Sequence, residues 1–486
     1  MARTRTRRRV LARDRIRWSF AAYPLTLVVL AVGAFRLPGR TWGIEAWAWI
    51  PPAWAVGLAA LGVAAGLVAR RTGSRDPEAF PRLPRALTLV ALLGLAASFW
   101  FLRTRAHFLG DGYQNLGILA ADHVRVKDTA RGTLWILIRL KELFGGGEAG
   151  ALAAYRALAL VSGAAWLAVV AAGARRVVDG AGARSFAAVV MLSGPALLFF
   201  GYVENYAPFA LAVTAFTFTG LHVARTGRGR WLMPGLAGIA ILLHVLGFTL
   251  LPALLWALVA GTPAGDFLAR LPASRRWTGV IGLALVAALF GVPAWRDSLT
   301  LQFALVPLPG SPYAVEGYTL FSVAHLADLA NLAFLLVPGG ALLAAAAAAA
   351  RGRTGRRPAE AGFLAVLIAS TTGAVFLLDP RLGMPRDWDV FAFAGIPWAV
   401  ALGWAWSRAA AVEPRLRLLG PLAALLGILV LLPRLLVLSD PETAVRQFES
   451  YLDLDFRKGR NGRLLLVNHY RETGRDALAE AELESW

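Results

Sequence analysis

Cysteine is absent from the 486-residue chain. Without a thiol, the protein cannot form a disulfide bond, use a thiolate nucleophile or bind a metal ion through sulfur. The absence is compatible with either face of a membrane, so it excludes chemistry without assigning a compartment.

Charged residues are also scarce. They make up 16% of the chain, whereas hydrophobic residues make up 57%. A typical soluble domain carries about 25% charged residues. The shortage is concentrated in long runs that are nearly free of charge, and a run of about 18 such residues can cross a bilayer as a helix. The composition therefore predicts an all-α, polytopic integral membrane protein.

Lysine is rare among the basic residues, with only Lys127, Lys141 and Lys458 in the whole chain. Arginine therefore supplies almost all of the net charge of +20. A strongly basic chain can indicate nucleic-acid binding, but here the arginines lie in short loops between apolar runs, as in cytoplasmic loops of membrane proteins. We therefore expect membrane lipids as surroundings and no nucleic acid as a partner.

The apolar runs predict about 13 helices, at roughly 18–35, 48–69, 86–102, 151–173, 185–202, 207–223, 231–246, 247–261, 278–295, 332–350, 362–378, 390–407 and 418–438. Arginine marks alternate loops as cytoplasmic, namely 1–17, 70–85, 174–184, 224–230, 262–277, 351–361 and 408–417. The first helix is expected to be uncleaved, with its N-terminus in the cytoplasm. The C-terminus is then expected on the outer face of an inner or plasma membrane.

These patterns divide the chain into three regions. Residues 1–85 form a basic segment with two membrane helices, residues 86–438 form a larger transmembrane region, and residues 439–486 form a helical outer tail. The first large outer loop, 103–150, contains a stretch from Thr133 to Phe144 whose apolar residues fall mostly on one helical face. Such a stretch predicts a helix lying in the membrane interface. A second large outer loop is predicted over 296–331.

Polar groups at the outer helix ends are candidates for a site, because a carboxylate at the centre of a span costs about 2.5–3.5 kcal/mol. The first group follows the third helix and contains His107, Asp111 and Tyr113. Asp111 lies between two glycines, which allow a tight turn that exposes the carboxylate. A turn aspartate at a helix end would show the same pattern.

The second group joins two helices through a short outer turn and contains Tyr202, Glu204 and Tyr206. Glu204 is the lone acid in a long apolar stretch, and tyrosines favour the membrane interface. The same residues are typical of a polar hairpin tip in water, so both interpretations remain open.

The third group is an outer loop with Arg381, Arg386, Asp387 and Asp389. Arginine can hold a phosphate or carboxylate with two parallel N–H groups, and a locally neutralised, salt-bridged loop is the alternative. His244 lies near the outer end of its helix, where it is either a packing residue or a ligand-binding one. Because the predicted topology places all of these groups at one face, we expect them to converge.

With these features the chain resembles the C-type integral-membrane glycosyltransferases, the GT-C superfamily, which includes protein O-mannosyltransferases and lipid A aminoarabinose transferases. The resemblance covers most of residues 86–438. It rests on the many helices, the cytoplasmic start, the large first outer loop and an acidic motif at the beginning of that loop. The family motif is commonly a pair of acids followed by tyrosine. Here Asp111 and Tyr113 match, and the second acid is absent.

The resemblance implies transfer of a sugar from a polyprenyl-phosphate carrier to a lipid, glycan or protein acceptor on the outer face. Asp111 would be the general base, and Glu204 would orient it, orient the acceptor or help to hold a divalent cation. Arg386, with Arg381 or His244, would neutralise the phosphate leaving group. A metal ion is not required, although oxygen ligands would suit magnesium, calcium or manganese.

Two other functions are compatible with the sequence. A transporter or flippase of a lipid-linked or anionic solute would need charged groups near the middle of the bilayer and paired broken helices. A non-catalytic scaffold would act through its outer tail, and loss of 440–486 would then abolish function where a change of Asp111 would not.

Overall fold

The computed structural model describes residues 2–35, 40–73, 85–121, 127–180, 182–260, 304–355 and 358–484. Within these ranges the chain is almost entirely helical, and the β-structure amounts to two isolated bridges, Leu305 with Leu378 and Val315 with Tyr318. The all-α, polytopic fold predicted from the apolar runs is confirmed. The predicted helix at 278–295 lies outside the described residues.

The described ranges contain 18 α-helices, which we number in chain order. The first ten are α1 (Ala2–Gly33), α2 (Pro52–Gly73), α3 (Arg85–Phe101), α4 (Gly112–Ala120), α5 (Arg131–Leu143), α6 (Gly147–Val177), α7 (Gly182–Met191), α8 (Ala207–Thr226), α9 (Leu232–Leu243) and α10 (Leu251–Val259). The other eight are α11 (Val323–Leu336), α12 (Gly340–Ala349), α13 (Pro358–Leu377), α14 (Trp388–Val412), α15 (Leu419–Ser439), α16 (Pro441–Leu452), α17 (Phe456–Glu472) and α18 (Asp476–Glu484).

Six of the described segments are long and apolar enough to cross a membrane, and they correspond to α2, α6, α8, α13, α14 and α15. Other apolar helices, such as α3, α7 and α9, have 10–17 residues. At 1.5 Å per residue these are shorter than the hydrocarbon core of about 30 Å. The helix predicted over 185–202, for example, is α7 followed by the 3-10 helix Gly194–Phe199. Pro195 is the second residue of that 3-10 helix, and it lacks the backbone N–H that would continue the α-helical hydrogen bonds.

One end of the helix bundle is rich in arginine, and we call it the arginine face. Arg225 at the end of α8 donates hydrogen bonds to the carbonyl oxygens of Arg176 and Val177 at the end of α6, at 3.2 and 3.1 Å. Arg353 after α12 pairs with Glu413 after α14 at 3.0 Å. Arginines at helix C-termini are favoured by the helix dipole, and here they join the end of α8 to that of α6 and the segment after α12 to that after α14.

The opposite end carries the polar groups singled out in the sequence, and we call it the site face. Arg105, after α3, donates its backbone N–H to Leu438 at the end of α15 at 3.0 Å. Thr104 donates likewise to Phe200, between α7 and α8, at 2.7 Å. The segment after α3 is thus fixed against two other helix ends, and the first polar group begins there.

The helix predicted over 332–350 is wrong as a single element. The chain forms α11 and α12 instead, bent by 82°. The break contains Pro338, which lacks a backbone N–H. It also contains Gly339, where an added Cβ would lie 2.5 Å from the Cβ of Ala423. α11 begins at Val323 and therefore occupies part of the region 296–331 that was predicted as a loop.

The stretch 231–261 forms the two helices predicted for it, α9 and α10. The turn between them begins at His244, whose Nδ1 accepts the backbone N–H of Leu246 at 3.2 Å. Arg230, before α9, donates to the carbonyl oxygen of Ala260, after α10, at 2.5 Å. The hairpin therefore returns to the arginine face, and His244 lies at its far end.

The first large loop forms α4 and α5 on the site face. Trp135 and Leu143 on α5 are 61% and 75% exposed, whereas Leu134 and Leu137 are buried in a cluster with Tyr155 of α6. A short helix that presents large apolar side chains outward is typical of the membrane interface, as the sequence predicts for 133–144.

Buried ion pairs hold the C-terminal tail to the rest of the chain. Arg40 pairs with Asp328 of α11 at 2.9 Å and also with Asp455, which precedes α17. Lys458 of α17 lies 2.7 Å from the carboxylate of Asp379. Through these contacts α16 and α17 pack on the site face, beside the third polar group.

Candidate active site

The backbone turn at Gly110 brings the first two polar groups into direct contact. Gly110 has a φ of +61°, a conformation that favours glycine. The next residue, Asp111, donates its backbone N–H to Glu204 Oε1 at 2.5 Å. One turn into α4, the side-chain amide of Asn115 donates to Glu204 Oε2 at 2.9 Å. Both oxygens of Glu204 are therefore used to fix the start of α4.

Asp111 is the accessible carboxylate of the site. Its side chain is 39% exposed, whereas Glu204 is 6% and Asp389 1% exposed. Asp111 Oδ2 lies 3.1 Å from the ammonium of Lys127, which also donates to Asn115 Oδ1 at 3.0 Å. Since the contact with Lys127 engages Asp111 Oδ2, the other carboxylate oxygen of Asp111 can face a ligand.

The third polar group joins the same cluster. Gly110 donates its backbone N–H to the carbonyl oxygen of Arg386 at 2.8 Å. A Cβ on Gly110 would lie 2.5 Å from Glu204 Oε1 and 2.8 Å from Asp389 Oδ2, so the two acids flank this turn. Asp387, at the N-terminus of α14, accepts the backbone N–H of Leu382 at 2.7 Å and closes its own loop.

Burial controls the ionisation of these groups. It raises the pKa of Glu204 to about 8, and repulsion from the Asp111 carboxylate adds to this rise. Burial also raises the pKa of Asp387 to about 7. His107 is affected in the opposite sense, since burial and the nearby Arg156 lower the pKa of its imidazole to about 4. Near neutral pH the site therefore holds a neutral histidine and two acids that are readily protonated.

Arg386 is the buried cation of the site, with 1% exposure. Its guanidinium carbon lies 4.9 Å from the ring centre of Phe448 on α16. A Cβ on Gly462 of α17 would lie 2.8 Å from Arg386 Nη1. The Nε and Nη1 atoms are buried and have no hydrogen-bond partner among the described residues. A buried guanidinium with free N–H groups is well suited to bind an anion.

The remaining predicted residues surround this centre at different depths. Tyr202 packs on Trp388 with ring centres 5.5 Å apart, and Tyr113 lies 5.9 Å from His107. Tyr206 packs on His244 at 5.0 Å. The position of His244 is explained by this packing and by its role at the α9–α10 turn. Arg381 lies exposed at the edge of its loop.

Sequence reasoning missed Lys127 and Asn115 as site residues. For Lys127 the signal was the rarity of lysine, since all three lysines make specific polar contacts in the structure. Lys141 donates to the carbonyl oxygens of Ala120 and Ala121 at the end of α4, at 3.2 and 2.8 Å. Lys458 pairs with Asp379.

No group of three acidic or histidine side chains in the described part of the chain is arranged to hold a metal ion. A cavity lined by Arg351, Trp404 and Arg408 lies at the arginine face. Trp404 is fifteen residues from Asp389 along α14, or about 22 Å at the rise of a helix, so that cavity is separate from the cluster described above.

No family model and no curated protein matches the chain. Among solved structures, it is similar to ArnT from Cupriavidus metallidurans bound to undecaprenyl phosphate, with a TM-score of 0.46, 16% sequence identity, and coverage of 75% of this chain and 79% of ArnT. The apo structure of that ArnT gives a TM-score of 0.37 at 16% identity, over 71% of this chain and 77% of ArnT. The similarity concerns the fold alone.

Proposed function

We propose that the protein is a membrane glycosyltransferase, which moves a sugar from a polyprenyl-phosphate carrier to an acceptor hydroxyl on the non-cytoplasmic face. The observation that carries the proposal is the junction at Gly110. It joins the accessible Asp111, the buried Glu204 and the buried Arg386 in one cluster at the end of the helix bundle.

In the proposed reaction Asp111 is the general base. Its free carboxylate oxygen accepts the proton of the acceptor hydroxyl, and the acceptor oxygen forms a new bond to the anomeric carbon of the sugar. The bond between the anomeric carbon and the phosphate oxygen breaks, and its electron pair leaves with the carrier phosphate. A base in this role must lie within about 3 Å of the hydroxyl it deprotonates.

Arg386 stabilises the departing phosphate. A guanidinium held in a buried site before the reaction stabilises developing negative charge more strongly than one in water. Its position is fixed because its own carbonyl oxygen is bound to Gly110 and its side chain packs on Phe448. The same turn thus positions the base and the cation.

Glu204 acts through Asp111 and Asn115 and is a positioning residue. It accepts N–H groups from both ends of the first turn of α4. Arg381 and His244 lie toward the edges of the cluster and are assigned no catalytic step. Because the charged groups lie at helix ends, the arrangement favours an enzyme at the interface over a transporter with charges in mid-bilayer.

The proposal is tested with the purified protein in detergent and a panel of radiolabelled polyprenyl-phosphate sugars. Release of polyprenyl phosphate and transfer of label are measured for the wild type, Asp111→Asn and Asp128→Asn. Asp128 is a matched control, since its side chain is 83% exposed and, within the described ranges, pairs only with surface Arg131. We expect transfer by the wild type and Asp128→Asn, and loss of about 100-fold or more in Asp111→Asn. Equal turnover by both variants would refute the assignment of the base.

A further inference from the structure

The cavity at the arginine face lies between the ends of three helices and has a volume of about 580 Å³. The last turn of α12, the first turn of α13 and the second half of α14 surround it, together with the loop that follows α12. This volume falls within the range of about 300–1,000 Å³ that is typical of ligand sites. The described lining contains two arginines, Arg351 and Arg408, and no acidic residue. The cavity is therefore suited to an anion.

Polar contacts hold the loop after α12 against α14 and fix one wall of the cavity. Arg408 donates a hydrogen bond to the carbonyl oxygen of Gly355, and Arg353 pairs with Glu413 at 3.0 Å. The guanidinium carbon of Arg408 also lies 4.9 Å from the ring centre of Trp404, one helical turn earlier. Stacking on an aromatic ring holds the guanidinium in place, so the position of this charge at the cavity is set by the fold.

Arg351, which also lines the cavity, differs from its neighbour Arg353. Arg353 pairs with Glu413, whereas Arg351 forms no ion pair with any described residue. The side chain of Arg351 is exposed, and together with the half-buried Arg408 it brings two positive charges to one opening. Guanidinium groups bind phosphate oxygens through parallel N–H groups, so a phosphate is the anion that this pair fits best.

The cavity lies at the depth of the lipid head groups. Arg408 follows Trp388, the first residue of α14, by twenty residues, which is about 30 Å of helix. That length matches the hydrocarbon core of about 30 Å, so a span that begins near Trp388 on the site face places Arg408 at the opposite boundary. Tryptophan is enriched at this level, as Trp404 illustrates. The rest of the lining includes four apolar residues, namely Ala347, Ala348, Ala361 and Ala405.

We infer that this cavity binds the head group of an anionic phospholipid. Arg351 and Arg408 bind the phosphate, and the alanines contact the glycerol and the first carbons of the acyl chains. An anionic head group is favoured over a zwitterionic one because it brings no positive charge of its own toward the two arginines. Basic pockets between membrane helices bind anionic lipids on the cytoplasmic side, which is the side predicted for the arginine face. The inference goes beyond the proposed function, since it concerns the face opposite Asp111 and involves no sugar transfer.

Binding is measured calorimetrically on the full-length protein in a maltoside detergent. The probes are a short-chain phosphatidylglycerol, the phosphatidylcholine with the same chains, and glycerol phosphate. The variants are Arg351→Glu and Arg408→Met. Arg228→Glu is the matched control, since Arg228 is exposed on the arginine face and does not line the cavity. We expect the wild type to bind phosphatidylglycerol most tightly of the three probes. This affinity should weaken about tenfold or more in both cavity variants and be unchanged in Arg228→Glu.

Wild-type affinity for phosphatidylglycerol in Arg351→Glu would overturn the inference. Equal affinity of the wild type for the two lipids would also overturn it, because the arginines would then not select an anionic head group. Glycerol phosphate that binds as tightly as phosphatidylglycerol would refute the lipid as ligand, and an equal loss in Arg228→Glu would refute the cavity as the site. If Arg408→Met does not fold, Arg351→Glu decides alone, since its side chain is exposed.

Discussion

Gly110 and Arg386, which are far apart in the sequence, are joined by a backbone hydrogen bond of 2.8 Å between the N–H of the first and the carbonyl oxygen of the second. The bond is possible because Gly110 adopts a φ of +61° and has no side chain. It connects the turn that carries the proposed base to the loop that carries the proposed anion-binding cation.

Gly110→Ala should therefore disrupt the site. The added methyl group would lie 2.5 Å from Glu204 Oε1 and 2.8 Å from Asp389 Oδ2, and the left-handed backbone conformation costs alanine about 1–2 kcal/mol. We expect transfer activity to be lost and the melting temperature in detergent to fall.

Gly117→Ala is the matched control for this change. Gly117 lies in α4, one to two turns after Asp111, and a Cβ there has no neighbour within 4 Å. Alanine in an exposed helix stabilises by about 0.8–1 kcal/mol relative to glycine. This variant should retain activity and melt at the same or a slightly higher temperature. Normal activity in both variants would show that the turn at Gly110 is not needed.

The stability of the protein should fall as the pH rises through the range of the buried acids. The pKa of Glu204 is raised from 4.5 to about 8 in the folded protein, so the folded state binds a proton more readily than the unfolded state. Such a group contributes stability that is fully present below about pH 4.5 and is lost as the pH rises through 8. Asp387, with a pKa of about 7, acts in the same direction.

This pH dependence is measured as the melting temperature between pH 5 and 9. In Glu204→Gln the fall should be shallower, because a neutral amide replaces the titrating acid. Glu142→Gln changes an exposed acid that pairs with Arg139 on the surface, and its curve should follow the wild type. If the Glu204→Gln curve also follows the wild type, the carboxyl group does not titrate in this range.

Removal of Arg40 should destabilise the attachment of the tail. Asp328 and Asp455 are 0% and 7% exposed and both pair with Arg40. Leaving two buried carboxylates without their cation costs about 3–5 kcal/mol. Arg131→Met breaks the exposed pair with Asp128 and should cost about 0–1 kcal/mol. Thermal denaturation of Arg40→Met and Arg131→Met compares the two, and equal losses would mean that the Arg40 pairs do not hold the tail.

The sequence was sufficient to predict the helical membrane fold and the grouping of the acids. Long apolar runs identify membrane helices because a helix satisfies its backbone hydrogen bonds internally in lipid. Arginine bias placed Asp111, Glu204 and Asp389 at one face, and the contacts at Gly110 bring them together. The prediction worked because a helix that spans a bilayer fixes which face its ends reach.

Other features depended on contacts that a linear pattern does not contain. The bend between α11 and α12 lies where Gly339 packs directly against Ala423, and an apolar run continues through it. The contribution of the tail was missed because α16 is an ordinary amphipathic helix by sequence. Only its docking places Phe448 against Arg386.

The absence of cysteine allows the predicted orientation to be tested with single cysteines. Asp128→Cys places a thiol on the site face and Arg228→Cys places one on the arginine face, and both positions are exposed. In intact cells a membrane-impermeant maleimide should label the first variant and not the second. After permeabilisation both should react. Labelling of Arg228→Cys alone in intact cells would invert the proposed topology.

The central claim is that Asp111 performs chemistry at a site where Arg386 binds the carrier phosphate. It is tested most directly by measuring polyprenyl phosphate binding and sugar transfer in the same preparation of Asp111→Asn. The account predicts carrier affinity within about threefold of the wild type, because Arg386 and its neighbours are unchanged, together with loss of transfer of about 100-fold or more. Transfer at the wild-type rate in this variant would contradict the account.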